Sequence, residues 1–187
     1  MGKNIAIFAS GSGSNAENII LSQYCTDLTV KAIFCTNPKA FVIERAKKLD
    51  VPCVVFSREE FKSEDFLKTL ADIDYIILAG FLWKIPQYLV NAFPREIINI
   101  HPALLPKFGG KGMYGSHVHE AVVAKGETES GITIHVVNEN YDEGQIIFQA
   151  KCPVTSTDTP DTVAEKVHQL EYDHFPQIIA QYIENQG

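Results

Sequence analysis

The chain has 187 residues, of which 45% are apolar and 21% are charged, and this balance excludes a disordered or low-complexity protein. Its 23 acidic residues outnumber its 16 Lys and Arg, and the net charge of −7 argues against binding to nucleic acid or to anionic membranes. No apolar run approaches the roughly 20 residues that a membrane-spanning helix requires.

Short β-rich runs alternate with amphipathic stretches along the first half of the chain. Strands are predicted at Asn4–Ala9, Thr29–Cys35, Cys53–Phe56, Tyr75–Leu78 and Ile97–Ile100, and helices near residues 15–24, 41–49, 58–71 and 86–93. Strands that alternate with helices favour a parallel sheet covered on both faces.

The second half changes character. Residues 131–137 and 145–150 are two β runs joined by the polar loop 138–144, which predicts an antiparallel hairpin, and helices are expected at 116–124 and near 160–184. The expected fold class is therefore α/β: a three-layer, Rossmann-like, mostly parallel sheet of about seven strands with an antiparallel C-terminal hairpin.

The first predicted strand ends in the Gly/Ser-rich run Ser10-Gly11-Ser12-Gly13-Ser14-Asn15, and a helix follows. Glycines let a backbone approach an anion closely, and a helix N-terminus offers free N–H groups and the positive end of its dipole. The run also fits a dinucleotide fingerprint, but residues 34–38 lack the acidic residue that would bind a ribose. A phosphate monoester site is favoured, while a dinucleotide site and a plain connecting turn stay open.

A second polar group follows the fifth predicted strand, in Asn99-Ile100-His101-Pro102. Residues two apart on a strand face the same way, so Asn99 and His101 should project together at the sheet edge where α/β proteins bind ligands. If the hairpin loop folds over this edge, Asp142 would favour the imidazolium and raise the pKa of His101. A purely structural histidine and a solvated acidic loop are the alternatives.

Three histidines could be considered as a metal site: His101, His117 and His119. His117 and His119 lie two residues apart in a predicted helix and therefore do not share a face. No metal is expected.

Four motifs occur in order along nearly the whole chain: residues 10–15, Leu78-Ala79-Gly80-Phe81, residues 99–106, and Asp142-Glu143-Gly144-Gln145-Ile146-Ile147. Together they resemble the glycinamide ribonucleotide formyltransferases, a family of folate-dependent formyltransferases. The resemblance implies direct transfer of a formyl group from 10-formyltetrahydrofolate, as cosubstrate, to the amine of 5-phosphoribosylglycinamide in purine (IMP) biosynthesis. It also implies one formyltransferase domain over residues 1–187, with a nucleotide-phosphate half at 1–100 and catalytic loops, hairpin and last helix at 101–187.

The resemblance also assigns roles to residues. The phosphate would lie on Gly13, Ser14 and Asn15, and Glu171 would contact the ribonucleotide. The catalytic residues would be His101 as general acid, Asn99 against the formyl oxygen, and Asp142, which would raise the pKa of His101 and assist proton removal from the amine. The implied folate pocket comprises Leu82, Trp83, Lys84, Ile85, Asn99, Asn138, Glu139, Asn140, Tyr141 and Asp142. Trp83 stands where many relatives carry a basic residue.

Two other functions stay open. One is a formyltetrahydrofolate hydrolase, although that group tends to carry a second His where this chain has Pro102. The other is a non-catalytic module that binds nucleotide phosphate through the Gly/Ser run alone. The start lacks a secretion signal and the four cysteines form no Cys-x-x-Cys pair, so a cytoplasmic protein is expected. Small-molecule substrates are the expected partners, with no nucleic acid and no membrane, and the oligomeric state stays open.

Overall fold

The structure, a computed structural model, describes residues 2–186. The strands are β1 (Lys3–Ala9), β2 (Leu28–Cys35), β3 (Cys53–Val55), β4 (Tyr75–Leu78), β5 (Ile97–His101), β6 (Glu129–Val136) and β7 (Ile146–Pro153). The α-helices are α1 (Ser14–Leu21), α2 (Val42–Lys48), α3 (Arg58–Lys62), α4 (Gln87–Ala92), α5 (Ser116–Ala124) and α6 (Pro160–Gln186), with short 3-10 helices at Gln23–Cys25 and Glu64–Leu70.

The strands form a seven-stranded sheet in the order β3-β2-β1-β4-β5-β6-β7. β1 pairs in parallel with β2 and β4, and the β2–β3 and β4–β5 pairs are also parallel. β6 and β7 form an antiparallel pair that runs from Glu129 opposite Pro153 to His135 opposite Ile146. The predicted α/β class, with a mostly parallel sheet and a C-terminal hairpin, is therefore confirmed.

The chain packs as two compact units, one ending at Asn99 and the other beginning at Ile100. The core of the first unit includes residues 5–9 of strand β1, which are fully buried and whose apolar run of Ile, Ala and Phe suits a strand covered on both sides. The core of the second unit joins residues from α5, β6 and α6, such as Val118, Ile134 and Phe175. Among the helices within residues 2–186, none is long and apolar enough to cross a membrane.

Two predicted helices are shorter than their patterns suggest, and serine side chains explain both breaks. The stretch predicted as a helix over 58–71 is divided at Ser63, which is extended and whose hydroxyl accepts a hydrogen bond from the N–H of Asp65. Helix α1 ends before Ser22, whose hydroxyl accepts from the N–H of Tyr24. Serine offers the backbone a local alternative to helical hydrogen bonds, so it stops helices that apolar periodicity alone would continue.

An aromatic cluster fills the core of the first unit around Phe8. The Phe8 ring stacks on Phe34 with centroids 5.0 Å apart. Its other ring neighbours are Phe56, Phe61, Phe66 and Phe81. Because offset and edge-to-face ring pairs add to the gain from burial, Phe8 should contribute strongly to the stability of this unit.

Replacing Phe8 by Ala is expected to lower the free energy of unfolding by about 3–5 kcal/mol, since it leaves a cavity among rings that cannot all relax inward. Urea unfolding followed by circular dichroism measures the change. Leu21→Ala is the matched control, because Leu21 is 68% exposed and its loss leaves no cavity. Equal stability of the two variants would contradict a central packing role for Phe8.

Candidate active site

Strand β5 ends at His101, whose ring is almost fully buried. The loop that follows is anchored to β6 by the hydroxyl of Thr133, which donates to the carbonyl of Ala103 at 2.7 Å and accepts from the N–H of Leu105 at 3.0 Å. The Leu105–Pro106 peptide bond is cis. The two hydrogen bonds of Thr133 hold the loop in place immediately after the histidine.

Both ring nitrogens of His101 face hydrogen-bond acceptors. Nε2 lies 2.7 Å from the carbonyl oxygen of Phe108, and Nδ1 lies 3.6 Å from Oδ2 of Asp142. A carbonyl oxygen can only accept, so Nε2 carries a hydrogen and acts as a donor. His101 can therefore donate a proton from Nε2, while the Asp142 carboxylate faces its other ring nitrogen, Nδ1.

Asp142 is held in place from three sides. Its Oδ2 accepts a hydrogen bond from the N–H of Gly110 at 2.9 Å, and its Oδ1 lies 3.6 Å from Nε2 of a second histidine, His135. A Cβ at Gly109 would come within 3.3 Å of the Asp142 Cβ and within 2.5 Å of the end of the Leu105 side chain, so a larger residue there would require Leu105 to shift. The glycine-rich loop therefore packs directly on the carboxylate.

Burial and charge act in opposite directions on this pair. Burial lowers the pKa of His101, and the attraction of Asp142 and the hydrogen bond to Phe108 offset that effect only in part. Burial alone would raise the pKa of Asp142, but the hydrogen bond from His135, the charge of His101 and the N–H of Gly110 together lower it. The carboxylate does favour the imidazolium, as expected from the sequence, but the net direction of the His101 pKa is downward because the imidazole is so deeply buried.

His135 is a residue of the site that was not predicted from the sequence. This histidine lies on β6, is buried, and directs Nδ1 to the carbonyl of Val136 at 3.1 Å while Nε2 faces Asp142. Its signal was present in the strand, because Thr133 and His135 are polar residues two apart in an otherwise apolar run and so share one face. Thr133 anchors the loop after His101, and His135 contacts the carboxylate.

The Gly/Ser run forms the turn between β1 and α1. Gly13 has a φ of +74° and immediately precedes Ser14, the first residue of α1. The N–H groups of the first helical turn therefore lie next to this glycine. Asn15 is buried and Ser14 is half-buried. Backbone N–H groups at a helix N-terminus next to glycine form a cradle suited to a phosphate group.

Replacing Gly13 by Ala is expected to weaken binding of a phosphate monoester by at least roughly tenfold and to cost about 1–2 kcal/mol of stability from the left-handed backbone alone. The added methyl group would also come within 2.3 Å of the Val42 side chain and push the turn away from α2. Calorimetric titration with ribose 5-phosphate measures the effect. Gly126→Ala is the control, since Gly126 also has a positive φ, of +64°, lies outside the Gly/Ser run, and would have a Cβ that meets nothing within 4 Å; equal affinity of the two variants would contradict the cradle.

The structure places the other predicted site residues as follows. Asn99 lies on β5 two residues before His101 and is half-buried. Glu171 lies on α6, is buried, and its Oε2 is 2.9 Å from Nδ1 of His168. In the loop after β4, Leu82 and Lys84 are exposed, Trp83 is half-buried and Ile85 is buried; in the hairpin loop, Asn138 is half-buried and Glu139, Asn140 and Tyr141 are exposed.

The histidines of α5 behave differently from each other. His117 is exposed and lies 3.6 Å from Glu120, whereas His119 is buried. Within residues 2–186, no group of three or more His, Cys, Asp or Glu side chains is arranged to hold a metal ion.

Comparison with known proteins identifies the family to which the chain belongs. Residues 3–179 match the formyl transferase family, and the chain belongs to this family. It is 41% identical over 189 residues to the chloroplastic phosphoribosylglycinamide formyltransferase of Arabidopsis thaliana, covering 95% of this chain and 64% of that protein. It is 34% identical to the phosphoribosylglycinamide formyltransferase of Bacillus subtilis, covering 97% of this chain and 95% of that protein.

Solved structures agree with the sequence comparison. The crystal structure of phosphoribosylglycinamide formyltransferase from Bacillus halodurans matches with a TM-score of 0.88 at 32% identity, covering 99% of this chain and 97% of that one. The chain spans less than two thirds of the length of the Arabidopsis relative and nearly the full length of the bacterial ones.

Proposed function

We propose that this protein transfers the formyl group of 10-formyltetrahydrofolate to the amine of 5-phosphoribosylglycinamide, a step of purine biosynthesis. The observation that carries the proposal is the pair formed at the end of β5 by buried His101 and half-buried Asp142, with Nδ1 and Oδ2 3.6 Å apart. The names of the Arabidopsis and B. subtilis relatives support the choice of substrates.

Transfer to an amine requires a place for negative charge. The amine nitrogen attacks the formyl carbon, and the formyl oxygen carries negative charge in the tetrahedral intermediate. The Phe108 carbonyl oxygen accepts a hydrogen bond from Nε2 of His101 at 2.7 Å. A substrate oxygen that replaced this carbonyl could accept the same hydrogen bond. Asn99 would donate from the same strand. Because the charge develops next to His101, it favours the imidazolium and so works against the effect of burial on the pKa.

The transfer also moves a proton. The attacking amine loses a proton as its bond to the formyl carbon forms, and the folate nitrogen gains one as its bond to that carbon breaks. Asp142 stays ionised because its pKa is lowered, so it can assist removal of the first proton and stabilise His101 as the donor of the second. No covalent bond between enzyme and formyl group is needed.

The remaining roles divide between two sets of residues. Gly13, Ser14 and Asn15 would bind the phosphate, and Glu171 would contact the sugar. Residues 82–85 and residues 138–142 would each contact the folate. Their exposed side chains, among them Leu82 and Tyr141, are available to a ligand with a flat aromatic ring. The cytoplasmic location stays a prediction, since the Arabidopsis relative is named as chloroplastic.

The test is an absorbance assay with purified full-length protein, 10-formyltetrahydrofolate and phosphoribosylglycinamide. We expect a change in folate absorbance that requires the nucleotide and a product mass that shows formyl on its amine. A change without the nucleotide would instead identify a formyltetrahydrofolate hydrolase. No change with folded protein that still binds ribose 5-phosphate would identify a non-catalytic phosphate-binding module.

A further inference from the structure

Helix α2 contacts the phosphate cradle at each of the residues 11–13. The N–H of Val42 donates to the carbonyl of Gly11 at 3.2 Å, and Nε–H of Arg45 donates to the carbonyl of Ser12 at 2.9 Å. The Val42 side chain lies against Gly13 so closely that a Cβ there would not fit. A turn made largely of glycine and serine is therefore held by a neighbouring helix rather than by its own side chains.

Arg45 is itself fixed by two further contacts. Its Nη1 forms an ion pair with Glu17 in the first turn of α1, and its guanidinium lies over the Phe41 ring at 5.1 Å from the centroid. The side chain is only 24% exposed. A planar guanidinium held at three points cannot turn away without losing them together, so it fixes the Ser12 carbonyl relative to α1.

The charge of Arg45 has a second consequence. Glu17 lies in the first turn of α1, where its carboxylate would repel a phosphate bound at the same helix end. The ion pair neutralises that carboxylate. Loss of Arg45 would therefore have two separable effects: the cradle would lose its tie at Ser12, and Glu17 would be left with an unbalanced charge.

We propose that Arg45 is a positioning residue for phosphate binding: its hydrogen bond to Ser12 holds the cradle in the shape that accepts the anion. This inference rests on the proposed assignment of a phosphate monoester to residues 13–15. Glycine loses more conformational freedom on ordering than other residues, so a cradle ordered in advance binds with a smaller entropic cost.

The test compares Arg45→Met with Lys48→Met in the full-length protein. Lys48 is exposed on the same helix, and its side chain makes no hydrogen bond or ion pair among the described residues, so its loss removes the same charge without touching the cradle. Calorimetric titration with ribose 5-phosphate should show roughly tenfold weaker binding for Arg45→Met and less than about twofold for Lys48→Met. In the assay with both substrates, KM for the phosphoribosyl substrate should rise while kcat and KM for the folate stay within about twofold.

Two further variants separate position from charge. Glu17→Gln removes the repulsion, so in the Arg45→Met/Glu17→Gln pair we expect only part of the lost affinity to return. Arg45→Lys keeps a positive charge beside Glu17 but lacks the planar Nε–H donor, so it should bind ribose 5-phosphate several-fold more weakly. If Arg45→Met does not fold, as judged by circular dichroism, Arg45→Lys decides the question.

Full recovery of affinity in the double variant, or native affinity in Arg45→Lys, would overturn the positioning role and leave a charge effect only. Native affinity in Arg45→Met, or a wild-type protein that binds no ribose 5-phosphate, would also overturn it. Because this titration needs no turnover, a wild-type protein that binds the sugar phosphate but transfers no formyl group would refute the proposed function and not this inference.

Discussion

Replacing Asp142 by Asn is expected to slow formyl transfer by about 100- to 10,000-fold, the range that general acid–base catalysis supplies. Asparagine keeps the size of the side chain and an oxygen for the N–H of Gly110, but it removes the negative charge 3.6 Å from His101. Without that charge, the side chain no longer stabilises the imidazolium of His101 and no longer assists removal of a proton from the amine. Single-turnover rates with both substrates at saturation measure the change.

The Asp142→Asn variant is also expected to change the pKa of His101 in a definite direction. Because the carboxylate raises the pKa of His101 against the lowering effect of burial, its removal should lower the pKa of His101 further. Titration of the histidine ring signals by NMR in wild type and Asp142→Asn measures this directly. An unchanged His101 pKa together with an unchanged rate would rule out the carboxylate as the partner of the histidine.

Replacing His101 by Ala is expected to reduce turnover by at least roughly 100-fold, with KM for either substrate changed much less. The variant removes the Nε2–H donor that the Phe108 carbonyl engages at 2.7 Å, and so removes stabilisation that is greatest when the substrate oxygen becomes charged. His117→Ala is the control, because His117 is exposed on α5. Near-normal turnover in His101→Ala would overturn the proposed role.

The two catalytic variants should not be additive. His101 and Asp142 are in contact, and each acts on the same proton transfers, so the double variant should be little slower than the slower single variant. If the rate of the double variant instead fell by the product of the two single losses, the two side chains would act independently. Thermal unfolding of all three proteins shows whether a change in rate follows from a change in stability.

Much of the fold could be predicted because buried parallel strands have an unmistakable composition. Runs such as Tyr75–Leu78 are apolar at every position, and the sheet contains this run as β4. The hairpin was also predictable, since a polar loop joins two β runs, although β6 begins earlier and β7 ends later than the apolar pattern indicates. The ends of the helices were harder to predict, because Ser22 and Ser63 stop helices through side-chain hydrogen bonds that the apolar periodicity does not reveal.

The site was predictable only where polar residues interrupt apolar strands at an end. Asn99 and His101 satisfy that condition, and Asp142 lies in an acidic loop of visible composition. His135 is the second-last residue of β6, and its signal was the polar face that it shares with Thr133, whereas the backbone groups of Phe108 and Gly110 that contact the pair have no sequence signal. The downward net direction of the His101 pKa depends on depth of burial, which no local pattern reports.

Trp83 is the single tryptophan of the chain, and it lies in the loop after β4 where the folate is proposed to bind. Its indole packs edge-on against Phe56 at 5.8 Å and lies under the guanidinium of Arg58 at 5.0 Å. All tryptophan emission from this protein therefore comes from one place. The molecule carries an intrinsic optical reporter of that loop, so folate binding can be followed by fluorescence without attaching a label.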